Sequence, residues 1–203
     1  MAPSIRSFPT ALRIHMSDAS STLTPGTFLV SAPVMQDPNF RRTVVLLCDH
    51  TPEGSFGLVL NQPTDLHLGD VMDNYFVHDP QLFLGGPVQR ETLHFVHRYA
   101  DAIPESISVL PGVQWGGSYD SVEALVQNEK PDTDALRFFL GYTGWSPGQL
   151  AREVEEDDGW ILTEGRAEWV FQTNPEVLWS QVMRAMGGEY ALLSTFPDDP
   201  RMN

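Results

Sequence analysis

Positive charge and sulfur are scarce in this chain. One cysteine, Cys48, stands among 203 residues. That excludes an intramolecular disulfide and a multi-cysteine zinc site. Lys130 is the sole lysine, and 12 bases face 27 acids for a net charge of −15. Residues 1–17 hold Arg6 and Arg13 and no acid, so the rest of the chain carries −17. Such a body repels phosphate backbones and anionic lipid surfaces. Arg41–Arg42 is the one adjacent pair of bases, and no compact basic patch is visible. Direct nucleic-acid binding is therefore disfavoured. The longest unbroken apolar run, Val44–Cys48, has five residues, far short of the roughly 20 that cross a bilayer as a helix. No Walker loop, dinucleotide fingerprint, H-E-x-x-H or calcium loop occurs.

What is present reads as one globular domain with a leading tail. Residues 1–22 are rich in Ser, Thr, Pro and Ala and lack periodicity, the composition of a disordered segment. They lack the apolar stretch of a secretory signal, so a cytoplasmic protein is expected. Met1 and Met16 both stand as candidate starts. From residue 23 to 203 no linker or repeat divides the chain.

Strands are expected at Thr27–Val34, Thr43–Cys48, Phe56–Asn61, Leu82–Leu84, Leu93–Arg98, Ile107–Leu110, Ala135–Tyr142, Trp160–Thr163 and Glu168–Phe171. Residues 43–61 read as a hairpin turning through Asp49–Ser55. Helical spacing marks Leu66–Phe76, Asp120–Asn128 with Glu123 at a capping-box position, Ser146 to about Asp157 with Pro147 and Gln149 behind the cap, and Asn174 to Gly187. Six or more strands and about four helices, hairpin first, give an α+β fold with a mixed sheet.

Candidate chemistry is sparse. Gly144–Gly148 fits G-x-S-x-G between a strand and a helix. The residue after an elbow serine must donate its N–H to an oxyanion, and Pro147 has none. Ser146 is therefore read as a helix cap, and no catalytic residue is assigned. His94 and His97, three apart on a strand, point to opposite faces and cannot share a metal by local geometry. Cys48 ends an apolar run, the place of a buried thiol. Arg42, His50, Asn61 and Trp145 lie near the ends and turn of the hairpin or beside it in the pattern. They are the candidate ligand-binding residues. No metal and no cofactor is expected.

Five blocks carry a resemblance: LVSAPVMQDPNFRRTVVLLCDH at 29–50, FGLVLNQP at 56–63, LFLGGPV at 82–88, LRFFLGYTGWSPGQLAREV at 136–154 and ALLSTFPDDPRMN at 191–203. In this order they resemble the bacterial YqgE/AlgH family of uncharacterised proteins, over about residues 23–203. The resemblance implies a branched sheet with a small barrel-like part and helices around it. It also brings a label of transcriptional regulator, and no agreed activity or cofactor. The expectation is a non-enzymatic protein that binds an unknown protein or small-molecule partner and affects expression at most indirectly. An enzyme with a polar pocket around Arg42, His50 and Asn61 is the alternative. A DNA-binding regulator comes third, opposed by the charge.

Overall fold

The computed structural model describes residues 23–72, 79–128, 131–132, 134–156 and 159–196. The expected tail at 1–22 lies outside them, as do Tyr75, Phe76, Lys130, Asp157 and most of the last block. The fold is α+β. Its strands are β1 (Thr27–Ser31), β2 (Val44–Thr51), β3 (Gly54–Val59), β4 (Pro63–His67), β5 (Gln81–Leu84), β6 (Val88–His97), β7 (Ile107–Leu110), β8 (Val113–Trp115), β9 (Leu136–Trp145) and β10 (Trp160–Glu164). Its helices are α1 (Tyr119–Asn128), α2 (Gln149–Glu156), α3 (Ala167–Phe171), α4 (Pro175–Met186) and α5 (Gly188–Leu193).

Ten strands join one sheet: eight run in the order β10-β1-β2-β3-β9-β6-β8-β7, and β5, with β4 beside it, leaves this path at β9. The sheet branches at β9. Its first half pairs with β5, parallel, at Leu82–Leu84 and with β6, antiparallel, on its other side. Its last residues, Thr143–Trp145, pair with β3. Three glycines make the branch possible. A Cβ on Gly85 would sit 2.3 Å from the Gly141 carbonyl oxygen, and one on Gly86 equally close to the Tyr142 carbonyl. Gly141 itself turns with φ +65°, against Val88 O. No side chain fits such approaches. The sheet curls until the end of β7 meets Gly26, whose own Cβ would lie 2.6 Å from Val109 O.

The curl encloses the main core. Phe28, Leu46, Leu58, Val96 and Phe139 face inward, and α3 and α4 close over them with Trp169, Val170, Leu178 and Trp179. The outer face of β1–β3 packs Leu29, Val45, Leu47 and Val59 against Leu150 and Val154 of α2. Around the first half of β9, Phe95, Leu136 and Phe138 meet Val122 and Val126 of α1. The near-continuous apolar character of β2 follows from burial on both faces.

Several local expectations need correction. Of the helix expected at Leu66–Phe76, the described residues 66–72 form no α-helix. Residues 63–67 join β5 as β4, and only a 3-10 turn, Leu68–Asp70, follows among the described residues. Leu68 is buried there while Leu66 and Val71 are exposed, so the apolar spacing does not line one helix face. Glu168–Phe171 is helical, not extended. Trp169, Val170 and Phe171 are all buried, and a short apolar run buried all round has no period to separate strand from helix. Helix α1 is capped by Ser118, whose Oγ accepts from Ser121 N at 3.3 Å, while Glu123 accepts from Gln127. At α2 the box closes from the other side: Gln149 Oε1 accepts the Ser146 N–H at 3.0 Å. β10 and α4 match expectation closely, with Asn174 capping α4 ahead of Pro175.

Candidate functional site

The four residues singled out from the sequence fall into two pairs at opposite ends of the β2–β3 hairpin. At one end, Asn61 spends its amide on backbone: Nδ2 donates to Arg42 O at 2.9 Å and Oδ1 accepts from Val44 N at 2.9 Å. The Arg42 guanidinium lies 4.8 Å over the Trp179 ring and donates to Phe196 O. At the other end, His50 Nδ1 meets Ser55 Oγ at 2.7 Å, and Ser55 is in turn the register partner of Trp145. Eight residue steps, most of them in β2, separate Arg42 from His50, roughly 26 Å at an extended rise. They do not line one pocket.

Trp145 is 6% exposed and belongs to a buried clip. Glu153 Oε2 accepts from the indole N–H of Trp145 at 2.9 Å and of Trp160 at 3.1 Å, and its Oε1 accepts from Gln149 Nε2 at 2.8 Å. One carboxylate thus fastens α2 to β9 and β10, and it satisfies the indole donors of two buried tryptophans. Cys48 is buried in the main core, and that burial pushes its thiol well above the ordinary range. The thiolate needed for chemistry is suppressed. Among the described residues no three His, Cys, Asp or Glu side chains converge as a metal site, and no helix is long and apolar enough to cross a membrane. An open groove of about 540 Å³ runs between Pro25–Gly26, Val109–Leu110 and Leu162–Glu164, with Glu164 as its one ionisable wall residue.

A different set of residues gathers at the end of the curl away from α3 and α4. Phe56 of β3 stacks on Trp115 of β8 at 4.6 Å between centroids and on Tyr142 of β9 at 4.8 Å. His94 of β6 stands edge-on to Phe56 at 5.2 Å and to Tyr142 at 5.6 Å. All four are half-buried. The sheet places them there. His94 is the register partner of Phe139 and Trp115 that of Val96, both inward-facing core residues, so all share the concave face. At Cys48 a β-bulge sets two residues of β2 against one of β3. Asp49 thereby comes directly opposite Phe56 while remaining exposed.

The hydrogen bonds of His94 fix its proton. Thr92 Oγ1 gives its one hydrogen to Gln89 O at 2.8 Å. Its 3.0 Å contact with His94 Nε2 must then be donated by the imidazole. Burial holds His94 below the usual histidine range, which favours that neutral ring. Nδ1 is left as an acceptor with no partner among the described residues. Among the described residues no buried side-chain polar atom lacks a partner, so Nδ1 reaches solvent. His97 contrasts with it. Its Nε2 donates to Gly116 O at 3.0 Å and its Nδ1 accepts from Tyr99 N at 3.1 Å. Sequence reasoning passed over this cluster. The available signal was aromatic residues beside glycines: Phe56-Gly57 on an expected strand, and Trp115-Gly116 in a stretch for which no strand was expected.

This branched, curled α+β sheet is shared with known proteins. The profile of the AlgH-like family matches residues 28–191. A UPF0301 protein of Cytophaga hutchinsonii is 41% identical over 182 residues, which is 89% of this chain and all of that one. The UPF0301 protein CT0663 of Chlorobaculum tepidum is 38% identical over 188 residues, 93% of this chain and all of its own. The solution structure of the AlgH protein from Pseudomonas aeruginosa superposes with a TM-score of 0.69 at 28% identity. It covers 90% of this chain and 98% of its own. The chain belongs to the AlgH-like family.

Proposed function

We propose that this protein is a cytoplasmic, non-catalytic binding protein that engages its partner through the aromatic end of the curled sheet and influences expression only indirectly. The observation that carries the reading is the half-exposed group of Phe56, Trp115, Tyr142 and His94, with an imidazole acceptor open to solvent. Flat rings supply contact area at low entropic cost, and a lone acceptor gives orientation. A polar catalytic pocket around Arg42, His50 and Asn61 has less support. Asn61 is committed to backbone at both ends, and His50 lies at the far end of the hairpin.

A thermal-shift screen against metabolites and peptides tests the reading, because a ligand that binds only the native state raises the melting temperature. Hits should move the Trp115 indole N–H signal in NMR spectra. Hits that move only signals at Arg42 or Asn61 would overturn the assignment of the binding end. The DNA-binding alternative is tested by titrating labelled duplex at about 0.15 M salt, where the Debye length is about 8 Å. A body carrying −15 overall should not bind. Saturable, salt-sensitive binding tighter than about 10 μM would put the regulator reading first.

A further inference from the structure

Four guanidinium groups in this fold rest on aromatic faces. Arg42 lies over Trp179, Arg98 over Phe171, Arg137 over Phe83 and Arg166 over Trp169, all at 4.4–4.8 Å from the ring centroid. The cluster of Phe56, Trp115 and Tyr142 is as rich in rings, and among the described residues no cation covers it. Arg90, on the same strand as His94, reaches instead to Asn39 Oδ1 at 3.3 Å. Three further features mark what the cluster lacks. Aromatic faces carry negative quadrupole density and attract cations. The solvent-facing Nδ1 of His94 accepts a hydrogen bond and offers none. Asp49, an exposed carboxylate, stands across the strand pair from Phe56, with Cβ atoms about 5 Å apart at such positions.

We propose that this end of the sheet is a docking site for an arginine side chain presented by a basic partner polypeptide. The guanidinium lies against the exposed ring surface, donates to His94 Nδ1 and is neutralised by Asp49. The inference rests on the binding reading above and names its partner chemistry. A guanidinium fits better than an ammonium, because it is planar, weakly hydrated and stacks on rings. Anionic ligands, nucleotides included, meet Asp49 and a net charge of −15. A free small guanidine brings only the contacts of the group itself. A polypeptide adds contacts on either side of its arginine and is drawn in by the charge of the whole body.

The test uses the full chain and a capped nonapeptide with three arginines spaced by Gly and Ser. Matched lysine and citrulline peptides and free ethylguanidine are the comparisons. Binding is read from tryptophan fluorescence and from NMR shifts of the Trp115 indole and the His94 ring. The arginine peptide should saturate, with shifts centred on those two residues. The lysine peptide should bind at least about threefold weaker, and the citrulline peptide about tenfold weaker. Asp49→Asn should weaken the arginine peptide about fivefold and Trp115→Leu by more than about tenfold. Asp49 is exposed, so its variant reports even where Trp115→Leu unfolds. Equal binding of the arginine and lysine peptides, with shifts spread over the acidic surface, would overturn the proposal. So would wild-type affinity in Asp49→Asn, or ethylguanidine binding as tightly as the peptide. A non-basic ligand from the screen that moves the Trp115 indole would sink the guanidinium assignment and leave the binding reading standing. Silence of that signal to every compound would sink both.

Discussion

The two ends of the concave core are built from similar rings and treated differently. At the helical end, Trp169, Phe171 and Trp179 are buried, each with an arginine on its face, and Trp179 donates its indole N–H to Ser31 O at 2.8 Å. At the other end, Phe56, Trp115 and Tyr142 stack on each other, half open to water, with no base over them among the described residues. Among the described residues Arg42, Arg98 and Arg166 lie on the rings of one end, and no base lies on those of the other. Similar composition therefore serves two ends: a sealed core margin, and a margin left half open to water.

That contrast can be broken most sharply by truncating one tryptophan at each end. Trp179→Ala should cost about 3–5 kcal/mol, since it opens a cavity and orphans Ser31 O. Trp115→Ala should cost about 1–2 kcal/mol, in keeping with a half-exposed ring. Urea melts compare the two midpoints. Equal losses would make the open end a core margin like the other. The Glu153 clip provides a second scale. Glu153→Ala leaves two buried indole donors unpaired and should cost about 2–3 kcal/mol. Gln149→Ala should cost about 1 kcal/mol, and Ser146→Ala less than that, because the Gln149 side chain closes this cap.

The smallest effect is in pH. Burial lowers the affinity of both His94 and His97 for a proton below the ordinary value of 6.5. Below that pH the unfolded chain takes up protons that the folded chain refuses, so stability falls as pH drops from about 6.5. His97→Gln should flatten part of this slope in melts across pH 5–7, and a variant with an unchanged slope would remove His97 as a source. The histidine facing solvent and the one enclosed between Gly116 and Tyr99 thus differ in role, though both resist protonation.

Much of the sheet was legible because β2, β5, β9 and β10 announce themselves as apolar runs bounded by Gly, Pro or Asp. The α4 helix was legible because Asn174, Pro175 and Gly187 mark both its ends. β4 and α3 were not. Residues 63–67 are mostly exposed and hold their conformation by pairing with β5, while residues 169–171 are buried on all sides and so carry no period. Of the candidate site, the hairpin was found and the aromatic face beside it was not. Asn61 and Trp145 carry polar atoms that a sequence reading takes as available, yet both are consumed inside the fold. Phe56, His94, Trp115 and Tyr142 come from four strands, and only the branching of the sheet puts them side by side. The bulge at Cys48, which sets Asp49 opposite Phe56, has no residue signature that distinguishes it from a regular strand.

The branch at β9 also governs when this protein can exist. β3, β5 and β6 all hang on residues 136–145, which are synthesised last among them. About 60 residues separate Gly85 from Trp145, so a ribosome adding 5–20 residues per second leaves an interval of roughly 3–12 s. During it the apolar Leu82-Phe83-Leu84 segment has been made but has no β9 beside it. A nascent chain stopped before Leu136 has no central strand and should remain protease-sensitive. One carried on through α4 has both the branch and the helices that close over it, and should become resistant.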